Sequence, residues 1–160
     1  MARLDEFLAE LKRMKAFDPD RELPERLVVR FEEAEWIGPE ITGNPSRIGV
    51  LTQIPARSME FYLQEIPVGG SSDLQRHAHE SVHIVLEGEG YSEIGEIRVE
   101  WGPGSFVYTP PWAWHRHYNT GRTVVRMILV ENSRLLSHLG LNRRESAGLL
   151  SYKEFKEKGR

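Results

Sequence analysis

Between residues 46 and 131 the chain is cut into short segments that Gly and Pro keep from growing. SRIGVLTQI and SMEFYLQEI are separated by Pro55-Ala56-Arg57, and HESVHIVLEGEG runs into a glycine-rich turn. YSEIGEIRVEW reads as one or two strands around Gly95. GSFVYTP, WHRHYN and RTVVRMILVE follow, with breaks at Pro110-Pro111 and Thr120-Gly121. Many short strands at close spacing, punctuated by such turns, predict an antiparallel all-β sandwich or barrel. The flanks read differently. Leu4, Phe7, Leu8, Leu11 and Met14 recur at helical spacing, which predicts an amphipathic helix over 2–17 that stops near Asp18-Pro19. Pro19, Pro24, Pro39 and Pro45 break up the lead-in, with a short strand expected at Leu27–Phe31. Beyond Glu131, Leu135, Leu136 and Leu139 share a helical face, and residues 144–158 predict a last, charged helix. The expected organisation is one globular domain in three parts: an N-terminal helix and extended lead-in (1–45), a barrel (46–130) and a helical C-terminal tail (131–160).

A length of 160 residues suits one domain with a respectable core. Net charge −3 gives no reason to expect nucleic acid as a partner. The absence of cysteine excludes disulfides, thiolate metal sites and cysteine nucleophiles, so any metal must be held by His, Asp or Glu. No apolar run approaches the roughly 20 residues of a membrane helix. MARLDEFLAELKRMK has no uninterrupted apolar stretch, so no secretory signal and a cytoplasmic location are expected.

Five of the six histidines fall within 41 residues, as His77, His79 and His83 in RHAHESVH and as His115 and His117 in WHRHYN. Side chains two apart on a strand share a face, so His77 pairs with His79 and His115 with His117. A pair on one strand met by a third imidazole from a distant strand gives three ligands on one side of a cation and leaves the other side open to substrate. His77, His79 and His115 are therefore read as metal ligands. His138, alone in the tail, is read as a surface residue.

The two motifs resemble those of the cupin superfamily, small double-stranded β-helix (jelly-roll) barrels. The first signature is Gly, five residues, His-x-His, three or four residues, Glu, six residues, Gly. Here His77-Ala-His79 is followed at the correct spacing by His83 in the glutamate position and by Gly90; Ser71 stands where the leading Gly belongs, with Gly70 one residue too far upstream. The second is Gly, five residues, Pro-x-Gly, two residues, His, three residues, Asn. It is matched by Gly104, Pro110, His115 and Asn119, with Trp112 in place of the second Gly. PPWAWHRHYN, with a first motif lacking Glu, is most similar to the gentisate dioxygenase branch, whose members hold ferrous iron with three histidines and are typically about twice this length. The small β-diketone-cleaving dioxygenase offers a comparable site. The resemblance implies a non-haem Fe(II) dioxygenase acting on a small anionic aromatic or β-diketone substrate, with His77, His79 and His115 as the ligands. Imidazole ligation alone does not choose among Fe, Mn, Ni, Co, Zn and Cu. The rivals are a redox-neutral isomerase, lyase or hydrolase and a non-catalytic sensing domain. A homodimer is expected, since small cupins commonly pair through sheet edges.

Other candidates stay open between two roles. His83 is either a fourth ligand, giving an uncharged shell that favours an anionic substrate, or lies outside the shell. His117 is either an acid–base group or hydrogen-bonded within the barrel. Trp112 could stack on an aromatic substrate, whereas Trp114 reads as packing. Tyr108 and Phe106 could face the cavity, with the Tyr108 hydroxyl orienting substrate. Arg126, if inward, is a carboxylate anchor and, if outward, an ordinary surface charge. Gln64, polar in the middle of a strand, is a pocket candidate.

Overall fold

The computed structural model describes residues 2–15 and 23–159. The helix α1 spans Ala2–Lys15; residues 16 and 17 of the expected helix and the Met14 side chain lie outside what is described. Leu4, Phe7 and Leu8 are exposed on it. Residues 27–30 form no strand, which corrects the expectation for Leu27–Phe31: the first strand, β1, is Glu35–Ile37. A short α2 (Pro39–Thr42) precedes β2 (Arg47–Val50), β3 (Glu60–Ile66), β4 (Gln75–His77), β5 (Ser81–Glu87), β6 (Gly90–Ile94), β7 (Ile97–Trp101), β8 (Phe106–Thr109), β9 (His115–Asn119) and β10 (Val125–Glu131). Then come α3 (Ser133–His138), β11 (Arg144–Ser146) and α4 (Tyr152–Lys158).

These strands form two antiparallel sheets, in the orders β1-β2-β3-β10-β5-β8 and β11-β4-β9-β6-β7. Alternation along the strands decides what enters the space between them. Val125, Met127 and Leu129 of β10 are buried, and they pack with Ile66, Val85 and Val107 from the same sheet and Trp101 from the other. The same parity carries His83 inward from β5, and His115 and His117 inward from β9.

The motif residues that bear no histidine prove to be structural. Gly90 is squeezed between strands: a Cβ there would stand 1.9 Å from the Tyr118 carbonyl and 2.6 Å from the Trp101 ring. Gly104 adopts φ 85°, a conformation an L side chain resists, in the turn before β8. The Asn119 amide donates to the carbonyls of Ile66 and Thr123 and accepts from Gly121 N–H, which pins the chain before β10.

The C-terminal tail departs from expectation. Only Tyr152–Lys158 of the predicted 144–158 helix is helical. Residues 144–146 instead pair with β4, Arg144 opposite His77. The reason is tertiary. Asp73, 1% exposed, accepts from Arg144 and from the Ser146 hydroxyl, both through Oδ2. Arg116, also buried, reaches the Leu149 carbonyl. Charged residues that look helical in isolation are drawn into a strand by a buried carboxylate.

Replacing Gly90 by Ala should lower stability by about 2 kcal/mol or more, because backbone on one side and indole on the other cannot both retreat; urea denaturation of the variant would measure it.

Candidate metal centre

All five barrel histidines are buried, none more than 7% exposed. They form a continuous group. The rings of His77 and His79 stack with centroids 3.7 Å apart, His115 meets His77 edge-on at 4.6 Å, His117 lies 5.6 Å from His115, and His83 tilts against His117 at 4.2 Å.

Their hydrogen bonds fix their tautomers. His77 Nδ1 lies 2.7 Å from the His79 carbonyl and His115 Nδ1 lies 2.9 Å from the Ala113 carbonyl. A carbonyl can only accept, so both Nδ1 atoms carry the proton and both Nε2 atoms keep a lone pair. His79 Nδ1 donates to Asn142 Oδ1 at 3.0 Å, and the Asn142 amide is oriented by its own donation to Ser137 Oγ. Each of these three rings thus has an oxygen acceptor at Nδ1, the support that metal-bound imidazoles usually have behind them. His79 Nε2 faces Glu131 Oε2 at 3.1 Å. In the deeper pair, His117 Nδ1 meets Ser92 Oγ and His83 Nε2 meets Ser81 Oγ. His115 Nε2, His117 Nε2 and His83 Nδ1 are buried without a protein partner.

Burial pushes the His77 pKa down to about 4, helped by the charge of His79, and pushes that of His83 down to about 3, helped by His115. Burial likewise holds His115 and His117 well below the usual imidazole range. For His79, burial is outweighed by the hydrogen bond and charge of Glu131, and its pKa rises. Four of the five rings are therefore held neutral, the form a metal requires.

The donor chemistry fits a divalent cation, and the ring orientations require adjustment to close on one. Among the described residues, no three His, Asp or Glu groups form a ready-made site, and the planes of His77 and His79 lie 6° apart rather than fanned about a point. A cavity of about 600 Å³ opens on His77, His79 and His83. Its apolar wall is Ile41, Ile48, Tyr62 and Leu129; its polar wall includes Gln64, Glu131, Asn142, Arg143 and Arg144.

Several expected site residues lie elsewhere. Arg126 points outward, as the opposite parity to Met127 requires, and pairs with Glu65 and Glu87 at 3.2 and 3.3 Å on the sheet's outer face. It cannot anchor a substrate inside. Phe106 is 71% exposed, and the Tyr108 hydroxyl donates outward to Glu80 at 3.0 Å; both belong to the outer face of β8. Trp112 does not line the cavity either. It sits at φ 60° in the turn where the motif has Gly, under the Arg76 guanidinium, which also covers Trp114. His117 is within the barrel but does not reach the cavity surface, whereas Gln64 does. Its Nε2 donates to Ser46 Oγ at 2.8 Å, and its Oε1 is buried and unpaired. Sequence reasoning passed over Glu131 and Arg143. Glu131 was legible in principle, being in phase with Met127 and Leu129; Arg143, in a loop, carried no periodic signal.

Residues 62–131 match the Cupin domain family. The 5-aminosalicylate 1,2-dioxygenase of a Comamonas species is 28% identical over 76 residues, which cover 48% of this chain and 20% of that protein. Gentisate 1,2-dioxygenase 1 of Aquipseudomonas alcaligenes is 38% identical over 58 residues, covering 36% and 17%. The 1-methylthio-D-xylulose 5-phosphate methylsulfurylase of Rhodospirillum rubrum is 35% identical over 52 residues, covering 32% and 33%. The matches thus span a fifth or less of the two dioxygenases and a third of the methylsulfurylase. Among solved structures, a cupin-2 domain protein of Rhodospirillum rubrum superposes with TM-score 0.61 at 19% identity, covering 85% of this chain and 88% of that one. A likeness at that identity establishes the fold.

Neutral buried imidazoles tie stability to pH. Below about pH 6.5 the unfolded chain takes up protons that the four depressed histidines refuse when folded, so stability falls as pH drops toward the folded values. The loss is up to about 1.4 kcal/mol per pH unit for each. His79 acts in the opposite sense: its contribution is full below its unfolded pKa and fades as pH rises through its raised folded value. The thermal midpoint should therefore fall steadily from about pH 6.5 to pH 4. His83→Leu, which has no proton to refuse, should flatten that acid limb; an unchanged limb would mean that these rings do not govern it.

Proposed function

From the cupin domain that this chain carries, we propose that it is a metal-dependent enzyme, a non-haem Fe(II) dioxygenase acting on a small anionic substrate of the hydroxy-aromatic or β-diketone kind. His77, His79 and His115 hold the ion through Nε2. The observation that carries the reading is the shared pattern of three rings, each with Nδ1 engaged by an oxygen acceptor. Two relatives, a 5-aminosalicylate 1,2-dioxygenase and a gentisate 1,2-dioxygenase, support the choice of chemistry. A bound ferrous ion would supply redox reactivity toward dioxygen.

The chain's own residues do the rest. Ile41, Ile48, Tyr62 and Leu129 give the substrate an apolar wall and exclude water from one side of it. Arg144 is neutralised by Asp73, and Glu131 faces His79. Arg143 has no ion pair or side-chain hydrogen bond among the described residues, so it leaves the cavity one uncompensated positive charge, in keeping with an anionic substrate. Its backbone is fixed beside the ligands, because its carbonyl accepts from Ala78 N–H at 2.9 Å. Gln64 can receive a substrate hydroxyl if its buried Oε1 becomes accessible on binding. A reaction that does not use dioxygen is the second reading, in keeping with the match to a methylsulfurylase.

Anaerobic loading with Fe(II), followed by oxygen uptake with gentisate, salicylate and acetylacetone, should show consumption with at least one of them. Turnover that needs no oxygen would select the second reading. Elemental analysis after desalting should find His77→Ala and His115→Ala depleted of iron relative to the unaltered protein; full retention in both would overturn the ligand assignment.

A further inference from the structure

The acidic place of the first histidine motif falls at position 83, where this chain has His. That ring borders the same cavity as His77 and His79. It lies against His117 and bonds Ser81. The carboxylate that faces the pair comes from another strand. Glu131 ends β10 in phase with Met127 and Leu129, directly opposite Ser81, so its side chain enters the barrel. Its Oε2 lies 3.1 Å from His79 Nε2, with the two side chains only 12% and 8% exposed.

We propose that Glu131 is a carboxylate ligand of the metal centre, entering from β10 in place of the acidic residue missing from the motif. The inference rests on the three-histidine reading above. Two geometric points carry it. The first is the side of the ring on which Glu131 stands. Carboxylates that merely support a metal-bound imidazole sit behind it, on the nitrogen that does not ligate. Behind His79 that place is taken by Asn142, at Nδ1. Glu131 is at Nε2, on the side where the ion binds. The second is spacing. Two donors each about 2.1 Å from one ion and at right angles to each other stand about 3.0 Å apart. The observed 3.1 Å is a hydrogen bond between the two groups in this structure, and it also matches that spacing, so an ion replacing the shared proton can take both with little displacement of the carboxylate. The consequence is chemical. One carboxylate halves the net charge of a divalent centre and biases an otherwise all-imidazole site toward metals that accept oxygen ligands, Mn and Fe ahead of Cu.

Co(II) tests this without reference to turnover: competition with a chromophoric chelator gives its affinity, and its visible bands report the donor set. Glu131→Gln should weaken Co(II) binding by about tenfold or more and shift the bands. Glu131→Asp, whose shorter arm withdraws the oxygen, should do the same to a smaller extent. Asn142→Ala, which removes only the rear support, should weaken binding and leave the bands in place, and His83→Ala should leave the bands in place as well. Circular dichroism identifies which variants fold. Wild-type bands, with affinity within about threefold, in whichever Glu131 variant folds would overturn the inference and leave the three-histidine reading standing. Failure of the unaltered protein to take up Co(II) would remove both.

Discussion

A buried imidazole nitrogen with no partner costs about 1–3 kcal/mol, and this barrel carries three of them on His83, His115 and His117. The cost is the more telling because the other nitrogens are so well served. His77 and His115 give Nδ1–H to backbone carbonyls, His79 to a side-chain amide whose own orientation is fixed, and Ser92, bonded to His117, is held in turn by Trp101 Nε1–H. A core evolved only to pack would fill these positions with aliphatic residues, as it does at Val85, two residues beyond His83 on β5, and at Met127 and Leu129 on the neighbouring β10. Polar atoms arranged to be neutral, oriented and unpaired are what a cation-binding interior looks like before the cation's demands are counted.

The turn before β9 serves the same end at its own expense. Trp112 adopts φ 60°, a left-handed conformation that a side chain of this bulk enters at a cost of about 1–3 kcal/mol. What the conformation gains is position: Trp112 N–H donates to the His77 carbonyl at 2.7 Å, while Ala78 N–H is held by the Arg143 carbonyl. The backbone of the His-x-His segment is thereby tied from the β8–β9 turn and from the C-terminal tail at once. Arg76, lying over Trp112 and Trp114 and bonded to Glu145, clamps the same assembly from outside. The stacking expected of Trp112 with a substrate is thus supplied by a cation of the protein itself.

How much of this the sequence disclosed follows from which interactions are local. The strands between residues 46 and 131 were legible because alternation and Gly/Pro breaks are properties of neighbouring residues, and the motif spacings pointed to the cupin fold. The paired histidines were legible for the same reason: period two puts His115 and His117 on one face whatever they pack against. The errors lie where a distant partner decides. Nothing in Arg144-Glu145-Ser146 announces a strand until Asp73 is buried beside it. Parity alone settles Arg126: Met127 and Leu129 face inward, so Arg126 faces Glu65 and Glu87 outside. The same parity brings Glu131 into the cavity.

The cavity reaches beyond the stretch that matches the family. All five barrel histidines lie inside residues 62–131, the stretch that matches the Cupin domain family. The cavity wall does not. Ile41, Thr42 and Asn44 come from the lead-in, Ile48 from β2, and Ser133, Asn142, Arg143 and Arg144 from the tail, so half of the sixteen lining residues lie outside the matched stretch. The histidines thus lie within the matched stretch, whereas half of the cavity wall lies on either side of it. Under the proposed reading, selection among small anions would fall largely to these flanking segments, with Arg143, the charge in that wall without a counter-ion among the described residues, best placed to exert it.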